Sequence, residues 1–146
     1  MTLSNALKQK NRLAGELVRL QQILSRENAR RSDSTSNVDR NNIWLKIIQT
    51  SNELGVLKGN IATANVAIYS KLERMAELKS RISYLKGLPV SEGEDVNFVG
   101  RDQEKLVYTW NSFFNQEKVD ATVESLQKEI NTLQDEVDVY NAITNI

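Results

Sequence analysis

The sequence predicts a mainly all-α protein: three long helices in an elongated antiparallel coiled-coil bundle, with a short loop or β-hairpin between the second and third helices. The main observation is an apolar seven-residue repeat in the middle of the chain, which is typical of a long helix covered by other helices. Shorter apolar stripes at both ends predict the other two helices. The repeat occupies two positions, one apolar throughout (Ile47, Leu54, Ile61, Ile68, Met75, Ile82) and one interrupted twice (Thr50, Leu57, Ala64, Lys71, Leu78, Leu85).

The first helix is predicted from about residue 2 to residue 28. Thr2 or Ser4 is placed to accept hydrogen bonds from the free N–H groups at its start. A polar connector without periodicity follows at 29–39. The apolar stripe of this helix consists of Leu3, Ala6, Leu13, Leu17, Leu20 and Leu24.

The second helix is predicted from about residue 41 to residue 86, with Asp39 as a possible cap. Gly87 is predicted to adopt the left-handed conformation that ends helices, and Pro89 prevents continuation. Poor helix formers at 55–60 leave two alternatives, a continuous helix or a break. Away from the repeat, a second face of small and apolar residues predicts another close helix contact: Gly55, Val56, Gly59, Ala62, Thr63, Val66 and Tyr69.

The segment 87–116 contains two short β-prone runs, 96–99 and 105–109, around Gly100, which indicates a hairpin. Its aromatic residues have two interpretations. As a plug, Trp110, Phe113 and Phe114 are buried against the end of the second helix. As a binding tip, the aromatics are exposed and contact a partner or a membrane surface. The candidate partner-binding residues are Phe98, Tyr108, Trp110, Phe113 and Phe114.

The third helix is predicted at about 117–145, and its stripe alternates steps of four and three residues. We expect residues 1–146 to form a single helical domain in which the outer helices fold back along opposite halves of the second. The bundle ends then contain only two helices each, so their apolar stripes are incompletely covered. This arrangement predicts a homo-oligomer, a dimer or higher.

The composition argues against catalysis. The chain has neither cysteine nor histidine, and no phosphate-binding loop or nucleophile motif is present. The acidic group Glu92, Glu94 and Asp95 lacks the ligand spacing of a calcium loop. We therefore expect no enzyme activity, no catalytic residue, no cofactor and no metal site.

The net charge of zero conceals strong segregation. Residues 1–31 and 40–87 are basic, whereas residues 117–146 are acidic. We expect the acidic last helix to neutralise the two basic ones, which makes nucleic-acid binding unlikely. The opening residues MTLSNALKQK have no apolar core, and no run is long enough to span a bilayer. The prediction is a cytoplasmic protein without membrane insertion.

Three segments, 3–24, 57–88 and 119–146, resemble in order the septicolysin-like bacterial family. The best local matches are Asn65 after LKGNIATA and the stretch from Val119 through Asp138. The resemblance implies a small helical protein from a family that is largely uncharacterised functionally. The chain departs from the family pattern at Ala142 and Ile143, where the family has a Trp. The family name suggests a cytolysin, but no segment offers the lipid-facing stretch that a pore needs.

Two long helices around a hairpin also resemble, in layout alone, a prefoldin subunit. The leading functional prediction is a structural or protein-interaction protein, a self-associating coiled-coil bundle that binds an unknown protein partner. The alternative is a prefoldin-like holdase chaperone that grips clients with the aromatic segment 98–114. A weaker alternative is nucleic-acid binding through the first two helices.

Overall fold

The computed structural model describes residues 1–146 and is mainly helical, with one small antiparallel sheet. The prediction of a mainly α-helical chain with a hairpin before the last helix is confirmed. The elements in chain order are α1 (Leu3–Glu27), α2 (Arg40–Asn65), a single 3₁₀ turn (Val66–Ile68), α3 (Tyr69–Lys86), β1 (Gly93–Val99), β2 (Glu104–Trp110) and α4 (Gln116–Ile143).

Side chains cap the starts of α1, α2 and α4. The Thr2 hydroxyl accepts a hydrogen bond from the Asn5 N–H (3.3 Å), and the Asp39 carboxylate accepts one from the Asn42 N–H (3.0 Å). The Asn115 side chain accepts the N–H of Lys118 at the start of α4 (2.8 Å). Each bond satisfies a backbone donor that has no partner inside its helix.

The second predicted helix differs from expectation at two places. It is unbroken through Gly55 and Gly59, and its irregularity is the 3₁₀ turn at Val66–Ile68. Gly87 does not adopt the left-handed conformation, so that prediction is wrong. Its N–H instead donates to the carbonyls of Ser83 (3.2 Å) and Tyr84 (3.1 Å), so the turn tightens before Pro89.

The chain divides into two compact units, the first comprising Met1–Tyr69 and Val137–Ile146. In this unit α1 runs antiparallel to α2, and the predicted stripes of both helices are buried against each other. Tyr140 and Ile146 pack against the same cluster. The buried members are Leu3, Ala6, Leu13, Leu54, Leu57 and Ile61.

Backbone hydrogen bonds join the two chain termini within this first unit. The Leu3 N–H donates to the Thr144 carbonyl (2.7 Å), and the Ile146 N–H donates to the Met1 carbonyl (2.9 Å). Thr2 and Asn145 form an isolated antiparallel β-bridge. These bonds hold the start of α1 beside the end of α4 and shield the side chain of Leu3 completely.

Tyr140 links α4 to α2 through a hydrogen bond. Its hydroxyl donates to the Ala64 carbonyl (2.8 Å), just before the 3₁₀ turn. We expect Tyr140→Phe to lower the free energy of unfolding by about 1 kcal/mol, the net contribution of one such bond. Urea denaturation measures the difference. Tyr84→Phe, at a side chain 68% exposed, is the control and leaves stability unchanged. Equal effects of the two substitutions would contradict the assignment.

The second unit, Ser70–Glu136, contains a smaller core between α3 and α4. Leu78 and Ile82 pack against Ile130, with Val123, Leu126 and Leu133 around them. Ion pairs flank this core: Lys71 with Glu136, and Arg74 with Glu129 (2.9 Å). The acidic last helix therefore pairs with basic residues of α3, as the charge segregation predicts.

Candidate partner-binding surface

The hairpin of β1 and β2 carries most of the candidate partner-binding residues. Its strands pair antiparallel from Gly93 opposite Trp110 to Val99 opposite Glu104. Gly100 adopts a positive φ of 75° in the connecting turn, a conformation that glycine accommodates without strain. Every residue of both strands is exposed, so no other part of the chain covers either face of the sheet.

The two faces of the hairpin differ in composition. Side chains opposite each other share a face, and alternate residues along a strand point to opposite faces. Tyr108 and Trp110 therefore lie on one face with Leu106, whereas Phe98 lies on the other face with Val96 and Val107. The exposed fractions of these side chains run from 39% for Leu106 to 62% for Phe98. Both faces of the hairpin thus present apolar surface to solvent.

The aromatic residues beyond the hairpin form the wall of a groove at its base. Phe113 and Phe114 meet edge to face, with ring centroids 5.2 Å apart. The Lys118 ammonium lies 3.7 Å from the centroid of Phe113, a cation–π contact. The groove has a volume of about 500 Å³, and its principal lining residues are Tyr84, Leu88, Pro89, Trp110, Phe113 and Phe114.

The plug interpretation is wrong for two of its three residues. Trp110 is 51% exposed and Phe113 is 82% exposed, and only Phe114 is partly buried. The reason is geometric, because both strands are exposed along their whole length and the hairpin therefore does not lie over the apolar stripes of α3 and α4. The Ser112 hydroxyl donates to the Ser91 carbonyl (2.6 Å) and closes the base of the hairpin.

The structure brings together some of the predicted residues and adds others. Trp110, Phe113 and Phe114 line one groove, whereas Phe98 lies near the turn on the opposite face of the hairpin. Sequence reasoning missed Tyr84 and the aliphatic residues of the strands. The strand alternation around Val96 and Leu106 was the available signal, but it does not reveal whether a strand is covered.

Several arginines of α1 and of the connector pair with acidic residues close to them in sequence. Arg19 donates two hydrogen bonds to Glu16, and this contact holds the pKa of Glu16 below its usual value and raises that of Arg19. The Ser36 hydroxyl donates to Glu27 (2.8 Å) and lowers the pKa of that carboxyl group, which also lies near Arg26 and Arg30. The α4 helix thus pairs with Lys71 and Arg74 of α3, whereas Arg19 of α1 pairs with Glu16 of its own helix.

No cluster of three or more carboxylate, cysteine or histidine side chains is arranged to hold a metal ion. No helix contains a stretch long and apolar enough to cross a bilayer.

No family model, curated protein or solved structure matches this chain. The function must therefore be argued from the exposed surfaces themselves.

Proposed function

We propose that this protein is a non-catalytic interaction protein whose helices form a self-associating antiparallel coiled-coil bundle and present the β1–β2 hairpin to a protein partner. The cytoplasm is the proposed location, and membership of the septicolysin-like family stays a prediction from the three helical segments. The observation that carries the proposal is the hairpin, whose two faces are uncovered and both carry exposed large apolar side chains.

An uncovered hairpin of this kind is unfavourable in water. A two-stranded sheet without a covering layer is only marginally stable in water, and its outer edges offer unpaired backbone groups to another chain. Clustered exposed apolar residues are typical of interaction sites. A partner that adds a strand or covers the Tyr108–Trp110 face would remove both features from water.

A holdase-like chaperone is the second candidate, and the groove at the base of the hairpin favours it. Trp110 and Phe113 offer broad apolar surface to the groove, and the Lys118 ammonium lies against the ring of Phe113. Such a surface suits unfolded chains, which expose apolar side chains in no fixed order. Nucleic-acid binding through α1 and α2 is a weaker candidate, and we propose neither a nucleic-acid partner nor an enzymatic activity.

The test compares the two tryptophans of the chain, which have nearly equal exposure. Trp110 is 51% exposed and Trp44, on α2, is 50% exposed. We expect Trp110→Ser to abolish two activities. The first is binding to a protein partner isolated by affinity capture, and the second is the suppression of aggregation of a client protein that unfolds on reduction. Trp44→Ser should retain both activities. Both substitutions should change the free energy of unfolding by only about 1 kcal/mol, because each side chain is half-exposed.

The Trp44→Ser variant also leaves Trp110 as the single tryptophan fluorophore. Its emission should be that of a water-exposed indole and should shift to shorter wavelength when a client covers the hairpin. Retention of binding and of client protection by Trp110→Ser would reject the hairpin as the site. If the unmodified protein does not protect the client from aggregation, the holdase function is rejected. Binding to a specific protein partner then stays the proposal.

A further inference from the structure

The outer face of α2, continued through the 3₁₀ turn to Tyr69 at the start of α3, carries a second and mainly apolar stripe that the chain leaves exposed. Its members are spaced alternately three and four residues apart, the spacing of a helix–helix contact, and lie away from the stripe that packs against α1. All of them are exposed, including Leu45 (55%), Val66 (74%) and Tyr69 (61%). This outer stripe consists of Leu45, Ile48, Asn52, Gly55, Gly59, Ala62, Val66 and Tyr69.

Two features of α2 distinguish this face from an ordinary solvated one. Only four of its 26 residues are charged, against seven of 18 in α3, and none of the four belongs to the outer stripe. Gly55 and Gly59 have no other atom within 4 Å of the position that a Cβ would occupy. Each glycine costs the helix about 1 kcal/mol relative to alanine, without any packing benefit in the isolated chain.

We propose that a second copy of this chain docks on the outer stripe, with the two α2 helices antiparallel and the two-fold axis between Gly55 and Gly59. This inference rests on the self-association in the proposed function and names its surface. In the proposed pair, Gly55 faces the partner's Gly59, and Leu45 faces the partner's Tyr69. Ile48 likewise faces the partner's Val66.

The size of the side chains fits this arrangement. The small residues Gly55, Gly59 and Ala62 lie near the axis, where the two backbones come closest. The larger residues lie toward both ends, where crossing helices diverge and leave more space. A second copy satisfies both requirements at once, because the large apolar residues lie symmetrically about the axis and the one polar member, Asn52, faces the partner's small Ala62.

The area also agrees with a second copy. The stripe extends over 25 residues, roughly 37 Å of helix, and a contact about 10 Å wide removes on the order of 1,000 Å² from water in the pair. This value lies at the lower limit of specific interfaces, so we expect dissociation in the micromolar range. The absence of charge in the stripe means that no unpaired charge is buried on association.

The test replaces Gly59 by Gln and uses Gly15→Gln as the matched control. Gly15 is an exposed glycine in the middle of α1, and it too has no neighbour within 4 Å. Both substitutions should preserve the helix content, because Gln is a better helix former than Gly. Only Gly59→Gln should weaken dimerisation, by about tenfold or more, because its side chain separates the two backbones. Sedimentation equilibrium from low to high micromolar concentration measures this difference.

Single cysteines establish the orientation, since the chain has no native cysteine. A mixture of Gly55→Cys and Gly59→Cys should form a disulfide-linked heterodimer, in preference to either homodimer. Preferential homodimers would overturn the antiparallel arrangement. If Gly59→Gln does not weaken the dimer, the outer stripe is not the dimer interface, and the chain self-associates through another surface. A monomer of 16.6 kDa at high micromolar concentration would overturn both the proposed self-association and the outer-stripe interface. It would not affect the partner-binding test of Trp110.

Discussion

Replacing Leu78 by Asp is expected to unfold the unit formed by α3 and α4. Leu78 is fully buried and packs in the small cluster with Ile82 and Ile130. The substitution removes an apolar contribution of about 1.5–3 kcal/mol and adds the cost of an unpaired buried carboxylate, which is several kcal/mol more. The core between two helices is thin and offers no cation in place of the lost leucine. We expect a loss of at least about 4 kcal/mol.

Circular dichroism during urea denaturation provides the measurement. Lys79→Asp is the matched control, because it places the same residue at the next, exposed position of α3. Its effect should stay within about 1 kcal/mol, the difference in helix propensity and surface charge. A native-like melting curve for Leu78→Asp would mean that this position is not in the core.

Replacing Leu3 by Ala is expected to lower the free energy of unfolding by about 3 kcal/mol. Leu3 is completely shielded, although it is only the third residue of the chain, because the end of α4 lies beside it. Its truncation leaves a cavity next to Ala6 and Ile61, and core leucine-to-alanine changes typically cost about 2–5 kcal/mol.

The control for this experiment is Val18→Ala, at a side chain of α1 that is 52% exposed. It should change stability by about 0.5 kcal/mol or less. Hydrogen exchange gives a second readout, because the Leu3 N–H donates to the Thr144 carbonyl and should lose protection in Leu3→Ala. Equal stability losses in the two variants would mean that the terminal contact is frayed in solution.

The repeat pattern was sufficient to predict the helices and the residues that they bury. Ile47, Leu54 and Ile61 are buried as their spacing predicts, and so are Met75 and Leu78 farther along. This success has a local cause, since side chains three or four residues apart must share a helix face. The hairpin was predictable for a similar reason, because β-prone residues flank a glycine turn.

The exposure of the candidate site was not predictable in the same way. The sequence allowed Trp110 and Phe113 to be either buried or exposed, because both are strongly apolar and lie between helices. Their exposure depends on whether the hairpin folds back over α3 and α4, which no local pattern encodes. The second apolar face of α2 is a related case, since its composition predicted a helix contact that the isolated chain does not supply.

The sequence by itself determined the local structure: helices, caps at Thr2 and Asp39, and the stripe that each helix must cover. The physical reason is that backbone hydrogen bonding and the 3.6-residue period act over a few residues. The tertiary structure alone decided which stripes find a cover within the chain. One helix covers only one side of its neighbour, so α1 buries the inner stripe of α2 and leaves the outer stripe in water. The same rule leaves both faces of the hairpin free, and these uncovered surfaces are where partners are expected to bind.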